Sequence, residues 1–76
     1  MTYFKDENGF VYCYDDRTAV TMVYKYTKWK ISKVTYYELK RRAGIEEITE
    51  REAKNLTNGA EMDDLMYYRN NDTFEL

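Results

Sequence analysis

The amino-acid sequence predicts an α+β fold: an N-terminal antiparallel β-hairpin, extended to a small three-stranded sheet and packed against two or three short helices. Three observations predict this class. Aromatic-rich runs flank a glycine-containing turn near the N-terminus, a β-branched and aromatic stretch follows, and helix-capping signals appear only in the second half. With 76 residues, the chain is expected to form a single domain, residues 1–76.

The hairpin is predicted for residues 3–16, where two aromatic-rich runs flank a polar turn that ends in Gly9. Glycine readily adopts the positive φ that such a turn needs. A two-residue loop would place Phe4 opposite Cys13, whereas a longer turn with Gly9 as a bulge places Phe4 opposite Tyr12. We favour the second register because it collects one large apolar face. That face consists of Phe4, Phe10, Tyr12 and Tyr14.

Residues 19–31 are rich in β-branched and aromatic types, which favours one or two further strands. Val20, Met22, Tyr24 and Tyr26 alternate on one side, and the apolar phase changes near Thr27. This change indicates a bulge, a turn or the end of a strand. A helix over residues 17–26 stays open as an alternative, since several apolar residues there also fit a helical stripe.

Helices are predicted downstream. The first spans residues 32–44, with Ser32 as its cap and Gly44-Ile45 as a Schellman ending. The second begins at a capping box of Thr49 and Glu52. It is expected to turn Ala53 and Leu56 inward and to stop at residues 58–59. A third amphipathic turn set lies within residues 62–69.

The residue inventory argues against catalysis. The chain has no histidine and one cysteine, Cys13, so we expect neither an internal disulfide nor an activated thiol, and we interpret Cys13 as a core residue. The adjacent acidic pairs at 15–16, 46–47 and 63–64 point away from one another in extended or helical backbone, which favours solvated charges over an acid–base pair. Three glycines provide no phosphate-binding loop. We therefore predict a non-enzymatic protein without cofactor or metal.

The sequence also bears on the cellular location of the protein and on how so short a chain is stabilised. No apolar run reaches the roughly 18 residues of a membrane span, and the N-terminus lacks the layout of a signal peptide. We expect a cytoplasmic protein that does not enter a membrane. A chain this short buries little surface. Nine tyrosines, three phenylalanines and one tryptophan can supply buried area, and a homodimer is the alternative support.

Charge is distributed unevenly along the chain. Residues 1–16 carry one base and four acids, residues 17–42 eight bases and one acid, and residues 43–76 three bases and nine acids. Such asymmetry bears on partners rather than on fold. It predicts a protein-binding surface in the basic aromatic segment, with the acidic half as the electrostatic alternative, and we favour protein over nucleic acid as the partner. The candidate residues are Tyr24, Tyr26, Lys28, Trp29 and Lys30, and on the acidic side Glu46, Glu47, Asp63 and Asp64.

Two motifs resemble a known family. The hairpin resembles the start of phage tail-fibre-assembly chaperones, through Tyr3, Asp6, Gly9, Val11, Tyr12, Tyr14 and Asp15. The stretch Ile48, Thr49, Glu52 and Ala53 resembles the helix cap of that family. The likeness covers about half of the chain, and the basic segment at residues 24–33 departs from the usual pattern. The resemblance implies a phage or prophage protein. Small phage proteins rich in tyrosine include inhibitors of host defence, anti-CRISPR proteins among them.

From these observations we expect a phage-type protein-binding module that blocks a host defence complex, a nucleoprotein machine, by steric and electrostatic means. A tail-fibre assembly chaperone or structural component is the first alternative. A single-stranded nucleic-acid binding protein is the second, because bases and aromatic residues alternate between Tyr24 and Lys33.

Overall fold

The computed structural model describes residues 1–60, 74 and 75 of the chain. Its centre is one six-stranded sheet with the strand order β5-β1-β2-β3-β4-β6. Two short helices, α1 and α2, accompany the sheet in the described part of the chain. In chain order the elements are β1 (Thr2–Lys5), β2 (Val11–Asp15), β3 (Val20–Lys25), β4 (Lys28–Ser32), α1 (Tyr36–Arg41), β5 (Glu46–Ile48), α2 (Glu50–Leu56) and β6 (Phe74–Glu75).

The predicted three-stranded sheet is wrong, because β1 to β5 form five antiparallel strands. Residues 19–31 fold back at Tyr26 and Thr27 into two strands, β3 and β4, so the helical alternative for this stretch is also wrong. The β5 strand pairs with β1 through only three residues, too few for a periodic signal. Two residues of β6 add a parallel pair to β4. The coarser assignment to the α+β class agrees with this architecture.

The N-terminal hairpin has the favoured register, with Phe4 opposite Tyr12. The Asp6 amide donates a hydrogen bond to the Phe10 carbonyl at 3.0 Å, and the Gly9 amide donates to the Asp6 carbonyl at 3.1 Å. The Asp6 carboxylate also accepts from the Phe10 amide at 3.0 Å. Gly9 has φ 86°, in the left-handed region that glycine adopts without strain. Local turn chemistry therefore fixes the pairing of β1 with β2.

Each face of the sheet carries a separate buried cluster, because side chains alternate along every strand. The α2 face holds the larger cluster, to which α2 contributes Ala53. On the α1 face, Leu39 of α1 packs onto the opposite side of the same strands. Buried members of the α2-face cluster are Val11, Cys13, Met22, Trp29 and Ala53, and those of the α1-face cluster are Phe4, Tyr12, Val23 and Leu39.

Helix α1 is shorter than predicted. Thr35, not Ser32, is its N-cap: the Thr35 hydroxyl accepts a hydrogen bond from the Glu38 amide at 3.1 Å. Ser32 is the last residue of β4, and its hydroxyl accepts from the Val34 amide at 3.1 Å. Sheet pairing thus extends through Ser32, and the helix cap lies three residues later, at Thr35, which is also a favourable cap residue.

The Schellman ending occurs after α2 rather than after α1. Gly59 donates its amide hydrogen to the Lys54 carbonyl at 2.8 Å, and Asn58 donates to the Asn55 carbonyl at 3.3 Å. Asn58 has φ 55°, so it takes the left-handed position of the motif. After α1, Gly44 with φ 85° lies in a separate turn, where a Cβ atom would come within 2.7 Å of the Glu7 side chain. Gly44 is therefore favoured by its backbone conformation, whereas the exposed Glu7 side chain could move aside from a Cβ atom.

Thr49 is the N-cap of α2, as the sequence predicts. The Thr49 hydroxyl accepts from the Glu52 amide at 3.1 Å. The Glu52 carboxylate instead receives the Lys5 ammonium at 2.8 Å, which ties the first turn of α2 to β1. Ala53 is buried as predicted, but Leu56 is 43% exposed, so its inward assignment is wrong. The third predicted helix, at residues 62–69, lies outside the described residues.

Cys13 is fully buried, which confirms its assignment to the core. Burial raises the pKa of its thiol to about 11 and the pKa of the neighbouring Tyr3 phenol to about 12. Both groups are neutral in the folded protein and ionise at lower pH in the unfolded chain. Their contribution to stability is therefore complete below about pH 9 and is lost as the pH rises through the folded values.

We expect Cys13 to react with an aromatic disulfide reagent at pH 8 at least about a hundredfold more slowly in the folded protein than in denaturant, because only the thiolate attacks. We also expect the melting temperature to fall between pH 9 and pH 11. Cys13→Ala is the matched control, since it removes the reaction and part of the alkaline destabilisation. Equal rates in folded and denatured protein would contradict the buried position.

Candidate protein-binding surface

The sheet separates the candidate residues of the basic segment onto opposite faces. Lys30 lies opposite Val23 of the α1-face cluster, so Lys30 and Lys28 belong to the α1 face. Tyr24 and Trp29 belong to the α2 face. The alternation of a β-strand produces this split, because adjacent residues point to opposite sides of the sheet. Only part of the predicted set can therefore contact one partner surface.

Trp29 is a core residue in this structure. Its side chain is 5% exposed, and its indole Nε1 donates a hydrogen bond to the Ala60 carbonyl at 3.2 Å. The Tyr24 ring meets the Trp29 ring edge to face, with centroids 5.5 Å apart. These two aromatic side chains support the fold on the α2 face, which leaves Tyr26, Lys28 and Lys30 as the surface part of the predicted basic set.

Tyr26 and Lys28 lie at the tip of the β3–β4 hairpin, and the half-buried Lys30 lies two residues further along β4 on the α1 face. Tyr26 is 76% exposed, and its ring meets the Phe10 ring edge to face at 6.0 Å. The Lys25 ammonium lies over the same Phe10 ring, 4.8 Å from its centroid. We name this surface the basic tip. It consists of Phe10, Lys25, Tyr26, Lys28 and Lys30.

Sequence reasoning missed Phe10 and Lys25 as members of this surface. Phe10 follows the first hairpin turn, and the sequence pattern predicts it for the core face alone. Lys25 lies directly opposite Lys28 across the β3–β4 pair. The signal that could have found Lys25 was a two-residue loop at Tyr26 and Thr27, which pairs the flanking lysines. The position of Phe10 depends on the pairing of β2 with β3, which no local pattern specifies.

Tyr12, at the base of the basic tip, reports the local field. Burial raises the pKa of the Tyr12 phenol, and the Asp6 carboxylate raises it further. The phenol donates a hydrogen bond to Asp6 Oδ2 at 3.3 Å. The positive charges of Lys25 and Arg42 act in the opposite direction and lower the pKa of the same phenol. Charges of both signs therefore act on Tyr12 at the edge of the basic tip, and the effect of the Asp6 carboxylate exceeds that of either cation.

The acidic candidates Glu46 and Glu47 lie on the β5 edge of the sheet, and both are exposed. Glu46 Oε1 is 3.4 Å from the Lys5 ammonium. Four strand spacings separate β5 from β4, which corresponds to about 19 Å. The fold thus places exposed glutamates on β5 and the lysines of the basic tip on the far side of the sheet, and we call this arrangement the bipolar sheet. Asp63 and Asp64 lie outside the described residues.

The acidic pairs do not all behave as predicted, because Asp15 is completely buried. Its carboxylate accepts from the Arg17 amide at 2.9 Å and from the Arg17 guanidinium at 3.2 Å and 3.3 Å. The expectation of a solvated Asp15 is therefore wrong, and its role is to hold the β2–β3 loop. Within residues 1–60, 74 and 75, no group of acidic or sulfur side chains is arranged to hold a metal ion.

Comparison with known proteins found no matching family, no matching characterised protein and no matching solved structure. Neither described helix has the length and apolar character needed to cross a lipid bilayer. The geometry of the basic tip and the charge distribution of the sheet are therefore the features that bear on function.

Proposed function

We propose that this chain is a non-enzymatic, phage-type protein-binding module that inhibits a host defence nucleoprotein complex in the cytoplasm. The observation that supports the proposal is the basic tip, where an exposed tyrosine lies beside three lysines at the end of a hairpin. Tyrosine anchors dominate the energetics of many protein interfaces. Clustered charge at a projecting tip also accelerates association with a surface of the opposite sign.

The bipolar sheet supports inhibition by steric and electrostatic blocking. One end of the sheet carries the basic tip and the other carries the exposed glutamates of β5. A module that docks through its basic end projects negative charge outward. Negative charge placed near a nucleic-acid channel repels phosphate groups. The same docking would therefore occupy space and disfavour entry of the substrate strand.

The test is protection of phage in bacterial cells that express an RNA-guided defence complex. Expression of the chain is expected to restore plaque formation, and the double variant Lys28→Glu/Lys30→Glu is expected to lose this effect by slowing association. The double variant Arg51→Glu/Lys54→Glu is the matched control, because it makes the same charge change on exposed positions of α2. It should retain protection.

Other outcomes redirect the proposal. Co-purification with a tail-fibre protein, without any effect on defence, would favour the assembly-chaperone class instead. Binding of single-stranded oligonucleotides that falls steeply with salt would favour the nucleic-acid class. Equal protection by the Lys28→Glu/Lys30→Glu variant and the unaltered chain would remove the basic tip from the mechanism.

A further inference from the structure

The turn at the basic tip uses residues that the backbone conformation disfavours. Lys25 pairs with Lys28, so Tyr26 and Thr27 form a two-residue loop. Both have positive φ, 51° for Tyr26 and 75° for Thr27. Hairpin loops of this kind strongly prefer Asn-Gly, and a β-branched residue at positive φ is an outlier. The loop is therefore less stable than the chain could make it with a common turn sequence.

The charges at the same turn also oppose folding. Lys25 and Lys28 are directly opposed across the strand pair, and Lys30 lies two residues further along the same face. Like charges in opposed positions destabilise a sheet. Strained turn residues and opposed lysines thus coincide at one hairpin tip. Features that cost stability without a structural gain are characteristic of functional sites.

The Tyr26 side chain at the tip already has a neighbouring ring that holds it in place. Tyr26 is 76% exposed, yet its ring meets the Phe10 ring edge to face. The Lys25 ammonium lies over the Phe10 ring, 4.8 Å from its centroid. An aromatic side chain that is held in place before binding loses less conformational entropy when a partner immobilises it.

Charge complementarity specifies the partner. Three lysines beside a projecting phenol fit an acidic protein surface with a small apolar recess for the ring. A nucleic-acid strand fits less well, because the Asp6 carboxylate accepts hydrogen bonds from Phe10 and Tyr12 beside the tip, and the exposed Glu7 follows Asp6. These carboxylates would repel a continuous phosphate backbone, whereas a compact acidic patch can avoid them.

We propose that the β3–β4 hairpin tip is a dedicated docking element whose strained Tyr26-Thr27 loop inserts the Tyr26 phenol into an acidic protein groove, with the flanking lysines as charge guides. This inference rests on the proposed function, since it assumes a protein partner. It adds the anchor residue, the chemistry of the partner and the reason for the unfavourable turn sequence: binding, not folding, selects Tyr26 and Thr27.

The test uses the full chain and two variants of the loop. Tyr26→Asn/Thr27→Gly installs the preferred turn and is expected to raise the melting temperature by several degrees. The same variant is expected to bind a glutamate-rich peptide with interspersed leucines at least about tenfold more weakly at low salt, because the anchor is gone. Tyr26→Phe should retain most of the affinity. In nuclear magnetic resonance titrations, shifts should concentrate at Phe10 and residues 25–30.

The matched control is Tyr37→Ala, which removes another exposed tyrosine from α1 without touching the tip. It should leave peptide affinity unchanged. No peptide binding by the unaltered chain, shifts centred on β5, or tighter binding of an oligothymidylate of equal charge would each overturn the inference. If the variant Tyr26→Asn/Thr27→Gly still protects phage, the assignment of the tip as the docking element fails while the proposed function stands. If the peptide binds at the tip but no defence complex is inhibited, only the proposed function fails.

Discussion

Replacing Leu39 by alanine is expected to lower the free energy of unfolding by about 3 kcal/mol. Leu39 is 1% exposed and is the buried apolar residue by which α1 packs onto the sheet. Helix α1 has only six residues, so it cannot be stable without that packing. Because small domains are marginally stable, a loss of this size would remove a large share of the total. Chemical denaturation followed by far-ultraviolet circular dichroism measures it.

The control for this prediction is Tyr37→Ala in the same helix. Tyr37 is 64% exposed and its ring contacts Arg41, so we expect a change within about 0.5 kcal/mol. The comparison separates helix propensity, which the two substitutions change in the same direction, from core packing. Similar losses for both variants would show that α1 is held by something other than Leu39.

Replacing Asp15 by alanine is expected to lower the free energy of unfolding by about 2 kcal/mol, the range for hydrogen bonds that involve a charged group. The carboxylate is fully buried at the end of β2 and accepts from both the backbone and the side chain of Arg17. The loop that it holds contains Ala19 at φ 59°, a conformation that needs support from its surroundings. Thermal and denaturant unfolding both measure the effect.

Asp16→Ala provides the control, because it removes the same charge from the next residue, which is exposed. We expect a change near zero for that variant. Asp15→Asn keeps the shape and part of the hydrogen bonding, so its loss should fall between the two alanine variants. If Asp15→Ala and Asp16→Ala are equally stable, the buried carboxylate does not organise the β2–β3 loop.

Features set by neighbouring residues were predictable. The first hairpin, its register and the cap at Thr49 each depend on a few adjacent side chains and on turn chemistry. The end of a strand near Thr27 was visible as a change in the apolar phase. Burial of Cys13 also followed from its position among aromatic residues in a predicted strand.

Features set by distant pairing were not predictable. The three residues of β5 become a strand only because β1 offers an open edge. The helix cap is Thr35 rather than Ser32 because Ser32 is paired in the sheet as the last residue of β4. Asp15 is buried because the loop folds over it, although acidic residues in sequence pairs are usually solvated.

The α+β class, the first hairpin and the uneven distribution of charge follow from composition, alternation and turn residues, which are local properties. Which residues of the basic segment reach the surface depends on how the strands pair. Strand alternation buries Trp29 on the α2 face, and cross-strand pairing brings Lys25 and Phe10 to Tyr26. The physical reason is that a sheet joins segments far apart in sequence, so the makeup of a surface depends on strand order and register.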